Sequence, residues 1–203
     1  MADSELVPPF TLGVLGSGKG SNLVAIVEAC TRGEVAAEVA IVLSDEKGAG
    51  ILSQAERLRV AHRFISPGDF RTKLDEDAER AYIAALSEVE VDLVVLAGFM
   101  RILKGEFLRA FEGRVVNVHP SLLPSFPGLE AWKQALEAGV KYTGVTVHYV
   151  DQGIDSGPII AQEPVAVRED DTPESLYARI QEVERVLYPK VIGEILEKLR
   201  DEG

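Results

Sequence analysis

Short apolar runs alternate with amphipathic stretches along most of the chain. Thr11–Leu15, Val39–Leu43, Ala61–Ile65, Asp92–Leu96 and Val115–His119 read as strands, and Ser21–Cys30, Gly50–Leu58, Lys73–Leu86 and Gly105–Ala110 between them read as helices. Such a βαβαβ rhythm predicts an α/β fold of the doubly wound kind, a mostly parallel sheet with helices on both faces. Further along the pattern changes: Thr143–Val150 alternates with period two and Pro158–Val167 reads as another strand, so an antiparallel C-terminal extension is expected. A long final helix should follow, with Thr172 as N-cap and Pro173 in its first position, and Pro189 should kink it. With no Pro/Gly/Ser-rich linker in the middle, residues 1–203 are expected to form a single domain, of which 1–9 is a loose tail.

Composition narrows the function classes. An apolar fraction of 46% and a charged fraction of 27% are those of an ordinary globular protein. The longest apolar run, Val91–Met100, carries Asp92 and falls short of the roughly 18 residues a membrane span requires, and the first residues lack the regions of a secretory signal, so no membrane role and a cytoplasmic address are expected. A formal net charge of -12 argues against nucleic acid as a partner, because phosphate neutralisation needs clustered Lys and Arg. Cys30 is the sole cysteine and reads as a small packing residue, and three scattered histidines with it suggest no metal site.

Chemistry is concentrated where the fifth strand ends. Asn117 and His119 lie two residues apart, so they face the same side of the sheet, and Pro120 stops the strand behind them. A neutral amide donor beside an imidazole suits an oxygen that becomes negative during acyl transfer. Alone, such a triplet more often serves as a strand-end hydrogen-bonding pair than as a site.

A second candidate is the loop Gly13–Asn22, which follows the first strand and opens the first helix. As a P-loop it fails, since Gly20 stands where a magnesium-binding hydroxyl is needed; as a dinucleotide fingerprint it fails at Ser21, where Gly or Ala is needed. What remains is a generic phosphate cradle of Gly20, Ser21 and Asn22, with Ser21 expected to cap the helix as well. A tight turn requiring glycine is the plainer reading of the same residues.

Three segments, Asn117–Pro124 (Asn-Val-His-Pro-Ser-Leu-Leu-Pro), Leu96–Leu103 (Leu-Ala-Gly-Phe-Met-Arg-Ile-Leu) and Gly20–Leu23, together resemble the folate-dependent phosphoribosylglycinamide formyltransferases. Phe126-Pro127-Gly128 and the Gly153–Pro158 loop follow in the expected order, and the likeness spans Thr11 to about Leu199. It implies a formyltransferase-type Rossmann-like fold and transfer of a formyl group from 10-formyltetrahydrofolate, a co-substrate, to the amine of glycinamide ribonucleotide, with small-molecule substrates only, no metal, and a monomer or homodimer. By position it implies Asn117, His119 and Asp155 as the catalytic trio, Asn117 and His119 meeting the oxyanion and Asp155 favouring the charged imidazole and relaying a proton. On the folate side it implies Arg71, Met100, Arg101, Ile102, Leu103, Asn117, Asp151, Gln152, Gly153, Ile154 and Asp155, with Arg101 the orienting residue and Lys73 competing with Arg71. At the ribonucleotide end it implies Gly20, Ser21, Asn22 and the segment Gln181, Glu182, Val183, Glu184, with Glu184 foremost; Lys19 departs from the family's usual asparagine.

The remaining candidates carry less. His148 is expected in a supporting position near the site, His62 at the surface, and Trp132 and Phe126 as packing residues. Methionyl-tRNA formyltransferases and formyltetrahydrofolate hydrolases share the Asn, His and Asp arrangement but carry an additional domain, for which the chain's length leaves no room. A non-enzymatic nucleotide-binding module would explain the glycine loop but has no use for Asn117 or His119.

Overall fold

The computed structural model describes residues 9–202, so the expected N-terminal tail lies, apart from Pro9, outside the described residues. Seven strands form one sheet in the order β3-β2-β1-β4-β5-β6-β7: β1 Phe10–Leu15, β2 Ala37–Ser44, β3 Ala61–Phe64, β4 Leu93–Leu96, β5 Val115–His119, β6 Tyr142–Tyr149 and β7 Ile159–Ala166. The first five are parallel, whereas β6 and β7 pair antiparallel, as the alternation of polar and apolar residues predicts. Helices α1 Ser21–Thr31, α2 Gly50–Arg57 and α6 Pro173–Glu202 pack on one face, contributing Leu23, Ile26, Ile51, Ile180 and Ile192 to one apolar cluster. α3 Glu76–Ser87 and α4 Gly105–Ala110 pack on the other with Tyr82, Leu86 and Phe107. Central strands β1 and β4 thus feed alternate side chains into two cores, Leu12 and Val14 into one, Leu15 and Leu96 into the other. Cys30 packs, half-buried, against the first of these.

Two expectations need correction. α3 starts at Glu76, not Lys73, because the Asp75 carboxylate accepts the Ala78 N–H at 2.8 Å and ends the extended run before it. Residues up to Lys73 instead lie alongside Ile102, whose N–H donates to Thr72 O at 2.8 Å. A short helix, α5 Ala131–Glu137, follows β5 where none was expected; it roots itself through buried Ala131 and Ala135, and Trp132 stacks on Tyr177 of α6 at 3.8 Å. The helix α6 is a single element with Pro189 inside it. Thr172 does cap it: its hydroxyl accepts the Ser175 N–H at 3.2 Å, and the Ser175 hydroxyl accepts the Thr172 N–H at 3.0 Å.

Because β1 lies beside β4 with β2 on its other flank, the winding direction reverses between β1 and β4. Crevices open beyond the carboxyl ends of strands at such a point. The loops after β1, β4 and β5 all emerge there; the first two carry Gly20 and Met100–Leu103, and β5 ends in Asn117 and His119.

Candidate active site

At the end of β5, Asn117 and His119 point to one face, and the antiparallel register sets His148 opposite Asn117 and Thr146 opposite His119. Asn117 Nδ2 lies 3.3 Å from His148 Nε2. His148 Nδ1 lies 2.8 Å from Tyr149 O, an acceptor only, so Nδ1 carries the proton and Nε2 accepts from the Asn117 amide. Burial pushes the His148 pKa down, against the opposing pull of the Tyr149 carbonyl and the Asp155 charge, so the ring is neutral at pH 7. Asn117 keeps its second N–H for a ligand.

His119 is 4% exposed and gripped from both sides. Its Nε2 donates to Phe126 O at 2.9 Å, and its Nδ1 faces Asp155 Oδ2 at 3.3 Å. Asp155 Oδ1 lies 3.8 Å from His148 Nε2, so the carboxylate sits between two imidazoles. Asp155 adopts a left-handed backbone, φ 51°, which an aspartate tolerates better than most residues, and accepts the Gly128 N–H at 2.8 Å. The loop leading to it is tied by Asp151, whose Oδ1 accepts from Gly153 N at 2.9 Å and Ser156 Oγ at 2.8 Å, while Gln152 and Ile154 are exposed. The structure therefore brings Asn117, His119 and Asp155 together and adds His148 to them as a direct partner. A buried histidine on the strand face opposite Val145 and Val147 is the signal in the sequence that a polar cluster needed it.

At the start of α1 the expectation for Ser21 does not hold. Gly20 occupies the cap position with φ 83°, no side chain caps the helix, and Ser21 is its first residue. A Cβ on Gly20 would meet Ile51 Cα at 2.8 Å, so only glycine permits the backbone to turn here. The first-turn N–H groups of α1 are left without a side-chain cap, as an anion site needs. Asn22, 8% exposed, donates through Nδ2 to Glu184 Oε2 at 3.1 Å, while its Oδ1 is buried with no partner among the described residues. Glu184 is 5% exposed, and burial pushes its pKa up to about 7, with the Asn22 bond opposing. Gln181 bonds Tyr177 one turn earlier on α6, Val183 packs on the core, and Glu182 is exposed. Of that segment Glu184 is the residue bonded to α1, through Asn22. Lys19 is exposed.

After β4, the Arg101 side chain is tied into the protein through Nε and Nη1. Its Nε donates to Asp45 Oδ2 at 2.7 Å, its Nη1 donates to the carbonyls of Phe70 and Arg71, and Nη2 lies 3.6 Å from Glu46. The other Asp45 oxygen accepts from Ser17 Oγ at 2.5 Å, which in turn accepts the Met100 N–H at 2.9 Å. Asp45 and Ser17, unread in the sequence, thereby lock the ends of β1, β2 and β4 together; a carboxylate just past the end of a parallel strand was the available signal. The Met100 and Ile102 N–H groups are already bonded within the protein, to Ser17 Oγ and Thr72 O. Beside them a cavity of about 230 Å³ is lined by Phe70, Lys73, Leu74, Ile102, Leu103 and Lys104 among others. Lys73 and not Arg71 reaches it, and Arg71 is exposed. Among the described residues no group of His, Cys, Asp and Glu is arranged to hold a metal.

A doubly wound sheet that ends one strand in an amide, two imidazoles and a carboxylate within hydrogen-bonding or ion-pair distance, and opens its first helix without a side-chain cap, suits an enzyme equipped for acyl-type transfer. The formyl transferase family model matches residues 11–192. The chain is 42% identical over 183 residues to the phosphoribosylglycinamide formyltransferase of Bacillus subtilis, covering 90% of this chain and 93% of that one. It is 40% identical to part of the human trifunctional purine biosynthetic protein adenosine-3, covering 89% of this chain and 18% of the larger protein. The solved structure of glycinamide ribonucleotide transformylase 1 from Symbiobacterium toebii superposes with a TM-score of 0.90 at 43% identity, covering 97% of this chain and 94% of that one. The chain belongs to the formyl transferase family.

Proposed function

We infer that this chain, as one formyltransferase domain, transfers the formyl group of 10-formyltetrahydrofolate to the amine of glycinamide ribonucleotide, releasing tetrahydrofolate, in purine biosynthesis. The observation that carries the mechanism is the convergence of Asn117, His119 and Asp155 on one spot, with His119 Nδ1 3.3 Å from Asp155 Oδ2. As the amine attacks the formyl carbon, the carbonyl electron pair moves to oxygen. Asn117 Nδ2–H stabilises that oxyanion by a hydrogen bond, a contribution of a few kcal/mol, and the protonated imidazole of His119, both of whose nitrogens are already bonded, stabilises it through space. Asp155 accepts the proton shed by the attacking nitrogen. That proton then passes to the departing folate nitrogen, directly or through water, as the carbon–nitrogen bond breaks. Neutral His148 holds the Asn117 amide in the orientation that leaves one N–H for substrate.

On this reading the ribonucleotide phosphate rests on the α1 start at Gly20, Ser21 and Asn22, and the ribose hydroxyls meet Glu184 and Gln181. The folate lies against the Met100–Leu103 backbone and the Asp151–Asp155 loop. The enzyme acts in the cytoplasm on small molecules and not on nucleic acid, as a monomer or homodimer; no helix among the described residues is long and apolar enough to cross a membrane.

The test is an assay of the purified protein with 10-formyltetrahydrofolate and glycinamide ribonucleotide. Formylated ribonucleotide should appear, and His119→Ala should lower kcat on the order of 10³-fold while ribonucleotide binding persists. Folded protein that forms no product at saturating substrate would refute the assignment, and rapid formate release without ribonucleotide would point to hydrolysis instead.

A further inference from the structure

The turn Phe126-Pro127-Gly128 touches both members of the His119–Asp155 pair. Phe126 O accepts from His119 Nε2 at 2.9 Å, and Gly128 N donates at 2.8 Å to Asp155 Oδ2, the oxygen that faces His119 Nδ1. One short turn therefore holds the imidazole at one nitrogen and aims the carboxylate at the other. Its backbone is unfavourable: Phe126, Gly128 and Glu130 take φ values of 56°, 82° and 54°, so two residues with side chains sit in the left-handed region within five positions. A conformation like this persists only where surrounding bonds over-determine it.

Two side chains supply those bonds. From α5, Gln134 Nε2 donates to Pro127 O at 3.2 Å and Leu129 O at 2.9 Å, spending its amide protons on the carbonyls that flank Gly128. From the other side, the fully buried Ser121 hydroxyl donates to Ser125 O at 2.5 Å, with Phe126 O at 3.3 Å. We propose that Gln134, braced by Ser121, is a positioning residue for catalysis, fixing through this turn both the orientation of the His119 ring and the aim of Asp155. The proposal rests on the reading of His119 and Asp155 given above.

The test compares Gln134→Met, which keeps shape and loses the donors, with Gln134→Lys, which restores a donor of similar reach. In Gln134→Met, kcat should fall roughly 30-fold with both KM values nearly unchanged, since misaligned reacting groups slow chemistry more than binding. The pH profile of kcat should shift, and the His119 imidazole nitrogen NMR signals should move as the Nε2 hydrogen bond to Phe126 O weakens; Gln134→Lys should recover most of the rate. Unchanged kcat, a loss confined to KM, or a rate loss with the His119 signals unmoved would each overturn the proposal. If Gln134→Met does not fold, Ser121→Ala probes the same turn, with the same outcomes expected. Full activity in His119→Ala would instead sink the underlying mechanism, whereas the NMR comparison would still report whether Gln134 governs the ring.

Discussion

Glu184 shows how a single residue can make stability depend on pH. Its carboxyl is buried between α1 and α6, and desolvation raises the folded-state pKa from 4.5 to about 7. In an unfolded chain it ionises near its ordinary value, so between those two values only the folded state holds the proton. Stability attributable to Glu184 is therefore complete below the unfolded value and is lost as pH rises through the folded one. Glu184→Gln should flatten this dependence and, at pH 8, melt at a higher temperature than wild type, by an amount corresponding to roughly 3 kcal/mol; an unaltered slope of stability against pH would refute the assignment. Residue-scale reading of the sequence found Glu184, Asn22, Asn117, His119 and Asp155, because the order and spacing of family motifs carry them. It did not find Gln134 or Asp45, whose importance lies in which backbone carbonyls and side chains they meet in space.

Elements were read well where hydrophobic periodicity is strong and poorly where it is not. The central strands β1 and β4 are buried on both faces and announce themselves as apolar runs. α5, with only Ala131 and Ala135 buried, has too short an apolar stripe to be told from the loop around it. The start of α3 is set by the Asp75 cap and by the pairing of its preceding segment with Ile102, a tertiary contact that overrides helical propensity at Lys73 and Leu74. Elements are fastened to one another most firmly at Asp45 and Arg101, whose side chains are 1% and 13% exposed. Removing one partner leaves an uncompensated buried charge, so Asp45→Ala and Arg101→Ala should each cost about 3–5 kcal/mol in urea unfolding. The double variant should cost less than their sum by about 1–3 kcal/mol, and strict additivity would show that the pair is not coupled.

Across the whole molecule, α6 acts as a clamp beneath the site. The Tyr188 hydroxyl is wholly buried 3.0 Å from both Leu96 O, at the end of β4, and Val116 O, inside β5. Tyr188→Phe would leave those carbonyls short of a donor and should lower unfolding free energy by about 2 kcal/mol, with a smaller loss of kcat than any change at His119. Equal stability of the two proteins would mean those carbonyls are satisfied in another way. Polar and apolar periodicity, with the spacing of Asn117 and His119 on a strand of fixed pleat, determined by themselves the parallel α/β plan, the antiparallel addition and the shared face of that pair, since each is a local consequence of backbone geometry. Tertiary structure alone decided that His148 stands across from Asn117, that Arg101 is consumed by Asp45, and that one turn held by Gln134 grips His119 and Asp155 together. Strand register, loop closure and helix docking bring those groups within hydrogen-bonding distance from far apart in the chain, and no local pattern encodes such distances.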